Sequence, residues 1–219
     1  MSRLYEAIKD YQENFKKRVP QEIQNIMLEA TKKLEDENIS KNALKVGDRF
    51  ENFELTDING NRVNLFEYFN ENKYLVISFY RGSWCPYCNL ELKSLQNNIE
   101  EFKKFGASLI AISPQTPDNS LSTKEKNELT FEVLSDIGNE VAKKVGLVFS
   151  LAQELRPIYE SFKIDIPNSN DDKTYELPMP ATFVINKNAE VIFSFVDEDY
   201  TKRCEPEEII NIIKNDNKF

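Results

Sequence analysis

The sequence predicts an α/β fold with a parallel centre and an antiparallel edge, and three observations carry that expectation. Two continuous apolar runs, "YLVISFY" (residues 74–80) and "SLIAISP" (108–114), read as strands covered on both faces. Between them Cys85, Cys88, Leu92, Leu95, Ile99 and Phe102 recur at alternating steps of three and four, the spacing of one helical face. Near the end, "ATFVIN" and "EVIFSFV" flank the turn-like "KNAE", which predicts an antiparallel pair.

The remaining elements follow in chain order. Leu4, Ile8, Tyr11 and Phe15 build one apolar helical face, and Pro20 suits the first turn of a second helix with the stripe Ile23, Met27, Ala30, Leu34. Such stripes pack onto the main domain or onto a partner subunit, so these helices are candidates for a homodimer contact. "SKNALKVGD" connects them to the rest, which divides the chain into a helical extension (1–43) and a main domain (44–219). Asn59-Gly60 marks a hairpin turn, and Gly106 sits where the cysteine-bearing helix should stop. "DNSLSTKEKN" reads as a helix, "FEVLSD" as a short strand and "NEVAKKVGL" as another helix. "PIYESFKIDIPNSNDDKTYELPMP" has no clean period and is expected to be a long surface loop or an insertion that lids the site. "EPEEIINIIKN" closes the chain with a helix whose Pro206 and acidic first turn suit an N-terminus.

Composition removes several function classes. The net charge is −9, whereas nucleic acid or an anionic membrane surface calls for clustered Lys and Arg. No apolar run approaches the roughly 20 residues of a membrane span, and the opening stretch lacks the apolar core of a secretory signal, so a cytoplasmic location is expected. Three cysteines are too few and too odd in number for a secreted disulfide framework. With no histidine, Cys–His pairs, Ser–His–Asp triads and imidazole-bound zinc are all ruled out, and an all-cysteine zinc site needs four thiolates. No metal or cofactor site is predicted.

Chemistry concentrates in "FYRGSWCPYC" (79–88), which holds two of the cysteines and the sole tryptophan. The spacing puts Cys85 and Cys88 one turn apart, after a buried strand and at the start of a helix. Unpaired N–H groups and the helix dipole there favour a thiolate, and Arg81 nearby adds to the effect. Pro86 fits that first turn because it lacks an N–H that would have no partner. A thiolate is the nucleophile both in disulfide exchange and in attack on a peroxide. Two small side chains packed in a core are the plainer account, since Cys88 shares its face with Leu92 and Leu95. A C-x-x-C directly after a strand in a βαβ unit favours redox chemistry.

Taken together, "VGDRFENFELTDINGNRVNL", "YLVISFYRGSWCPYCNLEL", "LIAISPQTP", "FEVLSDIGNEVAKKVGL" and "MPATFVINKNAEVIFSFVD" resemble the alkyl hydroperoxide reductase/thiol-specific antioxidant branch of the peroxiredoxins, in particular peroxiredoxin-like members with a WCPYC site. The resemblance spans about residues 44–215. It implies a thioredoxin-like fold with peroxiredoxin-type insertions, here preceded by the two-helix extension. It also implies reduction of hydroperoxides and recycling by thioredoxin or a similar dithiol donor.

The chain departs from the family pattern at two places. Aligned on Phe79-Tyr80, Cys88 takes the peroxidatic position, Arg81 replaces a proline, and Cys85 replaces a Thr or Ser. Pro180 stands where typical peroxiredoxins carry a peroxide-activating arginine and where thioredoxins carry a cis-proline, so Met179–Pro180 is expected to be cis. Two mechanisms follow. As a peroxidase, Cys88 attacks the peroxide and Cys85 resolves the sulfenic acid to a disulfide. As a dithiol–disulfide oxidoreductase, Cys85 attacks and Cys88 resolves. Arg81 is the nearest substitute for the missing arginine, and Arg156 is a second if its loop folds back. Trp84 and Tyr87 are expected to shape the substrate cleft or to pack beside it. Cys204 is a candidate resolving cysteine, though a lone cysteine at a helix start is more often incidental. Gln115 and Thr116 follow a strand end and lie outside the expected site.

Overall fold

The computed structural model describes residues 3–216. Strands β1 (Glu54–Asp57) and β2 (Arg62–Asn64) form the hairpin expected around Asn59-Gly60. Gly60 turns with φ +84°, and the Asp57 carboxylate accepts the backbone N–H groups of Asn59 and Asn61 at 2.8 Å each. β3 (Tyr74–Phe79), β4 (Ala107–Ser113) and β5 (Glu132–Ser135) pair in parallel. β6 (Val148–Ser150) and β7 (Glu176–Pro178) make a separate antiparallel ribbon. β8 (Ala181–Asn186) runs antiparallel to β3, and β9 (Val191–Val196) antiparallel to β8. The main sheet thus runs β2-β1-β5-β4-β3-β8-β9, parallel at its centre and antiparallel towards both edges.

Every residue of β3 is buried, and its side chains alternate between two cores. Tyr74 and Val76 pack in one core with Leu92 and Phe102, whereas Leu75, Ile77 and Phe79 pack in the other with Leu65 and Phe183. Both faces of the strand are therefore covered, as the continuous apolar runs require.

Helices α1 (Leu4–Arg18) and α2 (Gln21–Glu37) form the N-terminal extension. α3 (Pro86–Asn97) follows β3, and α1 packs across it with Leu4 and Ile8 in the core beside the cysteines. α2 turns Ala30 into a smaller cluster with Leu151, Leu155 and Tyr159. Both stripes thus pack on this chain's own main body.

The single helix expected from Cys85 to Phe102 is instead two, because α4 (Ile99–Lys104) starts afresh after Asn98. There the Asn98 amide donates to the Ser94 carbonyl at 2.8 Å, a local bond that competes with helix propagation. α5 (Pro117–Lys126) and α6 (Glu140–Lys144) flank β5, as their sequences suggest.

The expected long loop is structured. α7 (Arg156–Ser161), α8 (Ile166–Asn170) and β7 occupy it, each too short to display a period, and Asp165 caps α8 by accepting the Asn168 N–H at 3.0 Å. α9 (Pro206–Asp216) closes the described chain. No cis peptide bond occurs among the described residues, so the expectation for Met179–Pro180 is corrected. Met179 donates its N–H to the Leu147 carbonyl at 2.8 Å, and the backbone continues from β7 into β8 across a trans bond.

Candidate active site

β3 delivers the chain to residues 80–85, and a close approach of backbone to side chain shapes that turn. Gly82 has φ +155°, and a Cβ there would lie 2.4 Å from the Trp84 Nε1 atom, so only glycine lets the indole fold over the loop. Gln115 ties the loop down: it accepts the Ser83 N–H at 2.8 Å, and its own amide donates to the Ser83 hydroxyl at 3.2 Å. Although it was expected to lie outside the site, Gln115 thus holds the segment that carries the cysteines.

Cys85 is the N-cap of α3, and Pro86 takes the first helical position. The Cys85 sulfur accepts the Cys88 N–H at 3.4 Å, which satisfies one of the helix's unpaired donors. Both thiols are fully buried and free. Each faces its own buried arginine. Arg81 Nη2 lies 3.8 Å from the Cys85 sulfur, and Arg203 Nη2 lies 3.4 Å from the Cys88 sulfur.

The environment of Arg203 explains why a cation is tolerated there. Its Nε donates to Glu91 at 2.5 Å, and its Nη1 donates to the carbonyls of Tyr200 and Lys202, both at 2.6 Å. Thr182 of β8 donates to the other Glu91 oxygen at 3.2 Å. Burial raises the Glu91 carboxyl above its ordinary value, and the Arg203 charge offsets only part of that rise. Arg81 is held differently. It donates to the Tyr159 hydroxyl at 3.2 Å, and its guanidinium lies 4.1 Å from the Tyr200 ring centre and 5.2 Å from that of Trp84. Arg81 Nε is buried with no hydrogen-bond partner among the described residues.

The sulfurs differ in charge. Burial opposes a thiolate at Cys85. The hydrogen bond from Cys88 and the charges of Arg81 and Arg203 outweigh that, and the Cys85 thiol is held well below its ordinary value. Burial, and after it the bond to an ionised Cys85 and that sulfur's charge, push the Cys88 thiol well up. The pair thus shares one negative charge, centred on Cys85.

Above this centre lies a cleft of about 400 Å³, lined by Arg81, Trp84, Pro86 and Tyr87 from the cysteine segment, with walls from α1 and α7. Of the residues predicted from sequence, Arg81 and Trp84 line this cleft, while Cys85 and Cys88 are fully buried, with the Cys85 sulfur next to Arg81. Pro180 does not line this cleft but a second cavity, which shares Arg81, Tyr159 and Tyr200 with it. Arg156 turns away: it donates to the Leu151 carbonyl at 3.4 Å and stacks 4.1 Å from the Tyr175 ring centre, so it does not replace the missing arginine. Cys204 is buried in the same core as the pair, and burial raises its thiol.

Sequence reasoning missed Arg203, Glu91, Tyr159 and Tyr200. Only Glu91 left a signal. It lies three residues after Cys88 on an otherwise apolar helix face, a place where a carboxylate requires a buried cation.

A dithiol at a helix N-terminus, each sulfur beside a buried cation, is the constellation of a thiol redox centre. The model of the AhpC/TSA family matches residues 46–194. Peroxiredoxin Bcp of Escherichia coli K12 is 32% identical over 106 residues, which cover 48% of this chain and 67% of that protein. Chloroplastic peroxiredoxin Q of Oryza sativa subsp. japonica is 34% identical over 96 residues, 44% of this chain and 43% of the rice protein. Among solved structures, peroxidoxin BcpB of Mycobacterium tuberculosis superposes with a TM-score of 0.62 at 20% identity, covering 78% of this chain and 97% of that one. The chain belongs to the AhpC/TSA family.

Proposed function

We propose that this chain is a thiol-dependent peroxidase that reduces hydrogen peroxide or organic hydroperoxides with the Cys85–Cys88 pair and is recycled by thioredoxin or a similar dithiol donor. The observation that carries this reading is the buried arginine beside each sulfur. Family membership supports it, and the relatives' names do not favour dithiol–disulfide exchange as the primary activity.

In the reaction a thiolate attacks one peroxide oxygen and the O–O bond breaks. The leaving oxygen takes a proton and departs as water or alcohol, while the sulfur, oxidised by two electrons, becomes a sulfenic acid. The second thiol displaces that hydroxyl as water, and the S–S bond forms. The donor dithiol then takes over the disulfide by exchange and is itself oxidised. Arginine donors aimed at the leaving oxygen stabilise its developing charge, an effect often worth about 3 kcal/mol per donor.

On the family alignment Cys88 attacks and Cys85 resolves. Arg203 then supplies beside Cys88 the cation that the chain lacks at Pro180. One observation favours the reverse order: the resting charge is centred on Cys85, whose arginine also lines the cleft. Once that charge is consumed, the repulsion that keeps Cys88 protonated disappears, and Arg203 favours its ionisation. Single serine variants separate the two orders. Without the attacking sulfur, peroxide consumption stops. Without the resolving sulfur, one oxidation still occurs and leaves a sulfenic acid that dimedone traps. If both variants consumed peroxide as the parent does, the proposal would fail.

A reducing compartment such as the cytoplasm suits a cycle that starts from the dithiol. No helix among the described residues is long and apolar enough to cross a membrane. A homodimer through the N-terminal helices would use their outward faces, where Tyr5 and Leu28 are exposed, because Leu4 and Ile8 pack inside the fold.

A further inference from the structure

The cleft above the dithiol has an uneven chemical character. Its walls are aromatic and come from three segments: Tyr11 and Phe15 of α1, Trp84 and Tyr87 of the cysteine segment, and Tyr159 and Phe162 at α7. Phe15 and Phe162 meet edge to face at 6.4 Å, so the N-terminal extension and α7 together close one wall. The charged residues lining it are Arg18, Arg81 and Lys163, with no Asp or Glu among them, in a chain whose 37 acids outnumber its 28 bases.

The three cations stand at different depths. Arg81 is buried at the floor beside Cys85, with its Nε unpartnered among the described residues. Arg18 and Lys163 are exposed at the mouth, and neither forms an ion pair with a carboxylate among the described residues. A cleft with aromatic walls, two exposed cations and a buried Arg81 that lies 3.8 Å from the Cys85 sulfur complements a molecule that is apolar in the middle and anionic at one end.

We propose that the preferred oxidant is an amphipathic organic hydroperoxide carrying a carboxylate, whose apolar body lies between the aromatic walls and whose carboxylate is held by Arg18 and Lys163. This rests on the peroxidase reading of the same site. The hydroperoxide group then points to the floor. There the attacking sulfur takes its distal oxygen, the O–O bond breaks, and the organic oxygen leaves with a proton as the alcohol. The second thiol releases water as the disulfide forms, so one R–OOH and two thiols give one R–OH, one water and one disulfide.

The test uses cumene hydroperoxide, its para-carboxylate and hydrogen peroxide as oxidants of the reduced 219-residue chain. The corresponding para-carboxylate alcohol serves as an unreactive ligand, read by Trp84 fluorescence. The carboxylated hydroperoxide should react about tenfold faster than the neutral one at low salt, as expected for one or two charge-assisted contacts. The double variant Arg18→Gln, Lys163→Gln should abolish that preference, weaken the alcohol's binding by a similar factor, and leave the rates with the other two oxidants unchanged. Equal rates for the two organic hydroperoxides in the parent, or a preference that survives the double variant, would overturn the proposal. Failure of the peroxidase reading looks different. None of the oxidants would then react faster than with a free thiol. Such a result would also overturn the hydroperoxide identity of the ligand, even if the alcohol bound through Arg18 and Lys163.

Discussion

At the scale of single residues, the site turns on which sulfur holds the charge. The fold lowers the Cys85 pKa, so ionised Cys85 supports the folded, reduced chain fully above the free-thiol value of about 8.5. That support is lost as pH falls through the lower value set by the fold. Alkylation of the reduced protein by iodoacetamide, mapped by mass spectrometry, should therefore label Cys85 before Cys88. Its rate should stay level through neutral pH and drop only in acid. A profile that rises through pH 8–9, as for a free thiol, would contradict the assignment.

The Arg203–Glu91 pair makes a second prediction at this scale. Both side chains are almost wholly buried, so Arg203→Met strands a carboxylate and should cost about 3–5 kcal/mol in denaturant unfolding. Adding Glu91→Leu to that variant should recover part of the loss, because neither charge is then left alone, while peroxide reduction stays slow. Additive costs in the double-mutant cycle would show that the two groups act independently.

At the scale of elements, α1 does more than cover apolar surface. The Glu205 carboxylate accepts the N–H groups of Leu4 and Tyr5 at 3.2 and 2.7 Å, and Gln12 donates to Thr201 at 3.2 Å. The first helix is thus anchored to the loop that carries Arg203. Glu205→Ala should cost about 0.5–2 kcal/mol, the range for losing a helix cap. It should also raise amide hydrogen exchange at the start of α1 and slow oxidation of the dithiol severalfold. Unchanged exchange in α1 would mean that the anchor carries no load. The stripe Leu4, Ile8, Tyr11, Phe15 was legible in the sequence as an apolar face. Its destination was not, because periodicity specifies that a face is buried and leaves open what buries it. The break at Asn98 escaped for a related reason: one side-chain bond to Ser94 ends a helix whose apolar spacing continues unbroken.

At the scale of the whole molecule, the sheet was legible because β3 and β4 are covered on both faces and so read as continuous apolar runs. The segment containing α7, α8 and β7 was not, since elements of three to six residues complete too few turns or alternations to show a period. The site divides the same way. Arg81, Trp84, Cys85 and Cys88 are neighbours in sequence and were found together. Arg203 lies 115 positions from Cys88 and reaches it only because β8 and β9 return the chain beneath α3.

The most direct measurement mixes reduced protein with hydrogen peroxide in a stopped-flow instrument and follows the fluorescence of Trp84, the sole tryptophan. A peroxidase gives a fast signal whose rate is first order in peroxide and far above that of a free thiol, and mass spectrometry then finds a Cys85–Cys88 disulfide. Oxidation no faster than a free cysteine's, or a product lacking that disulfide, would contradict the account.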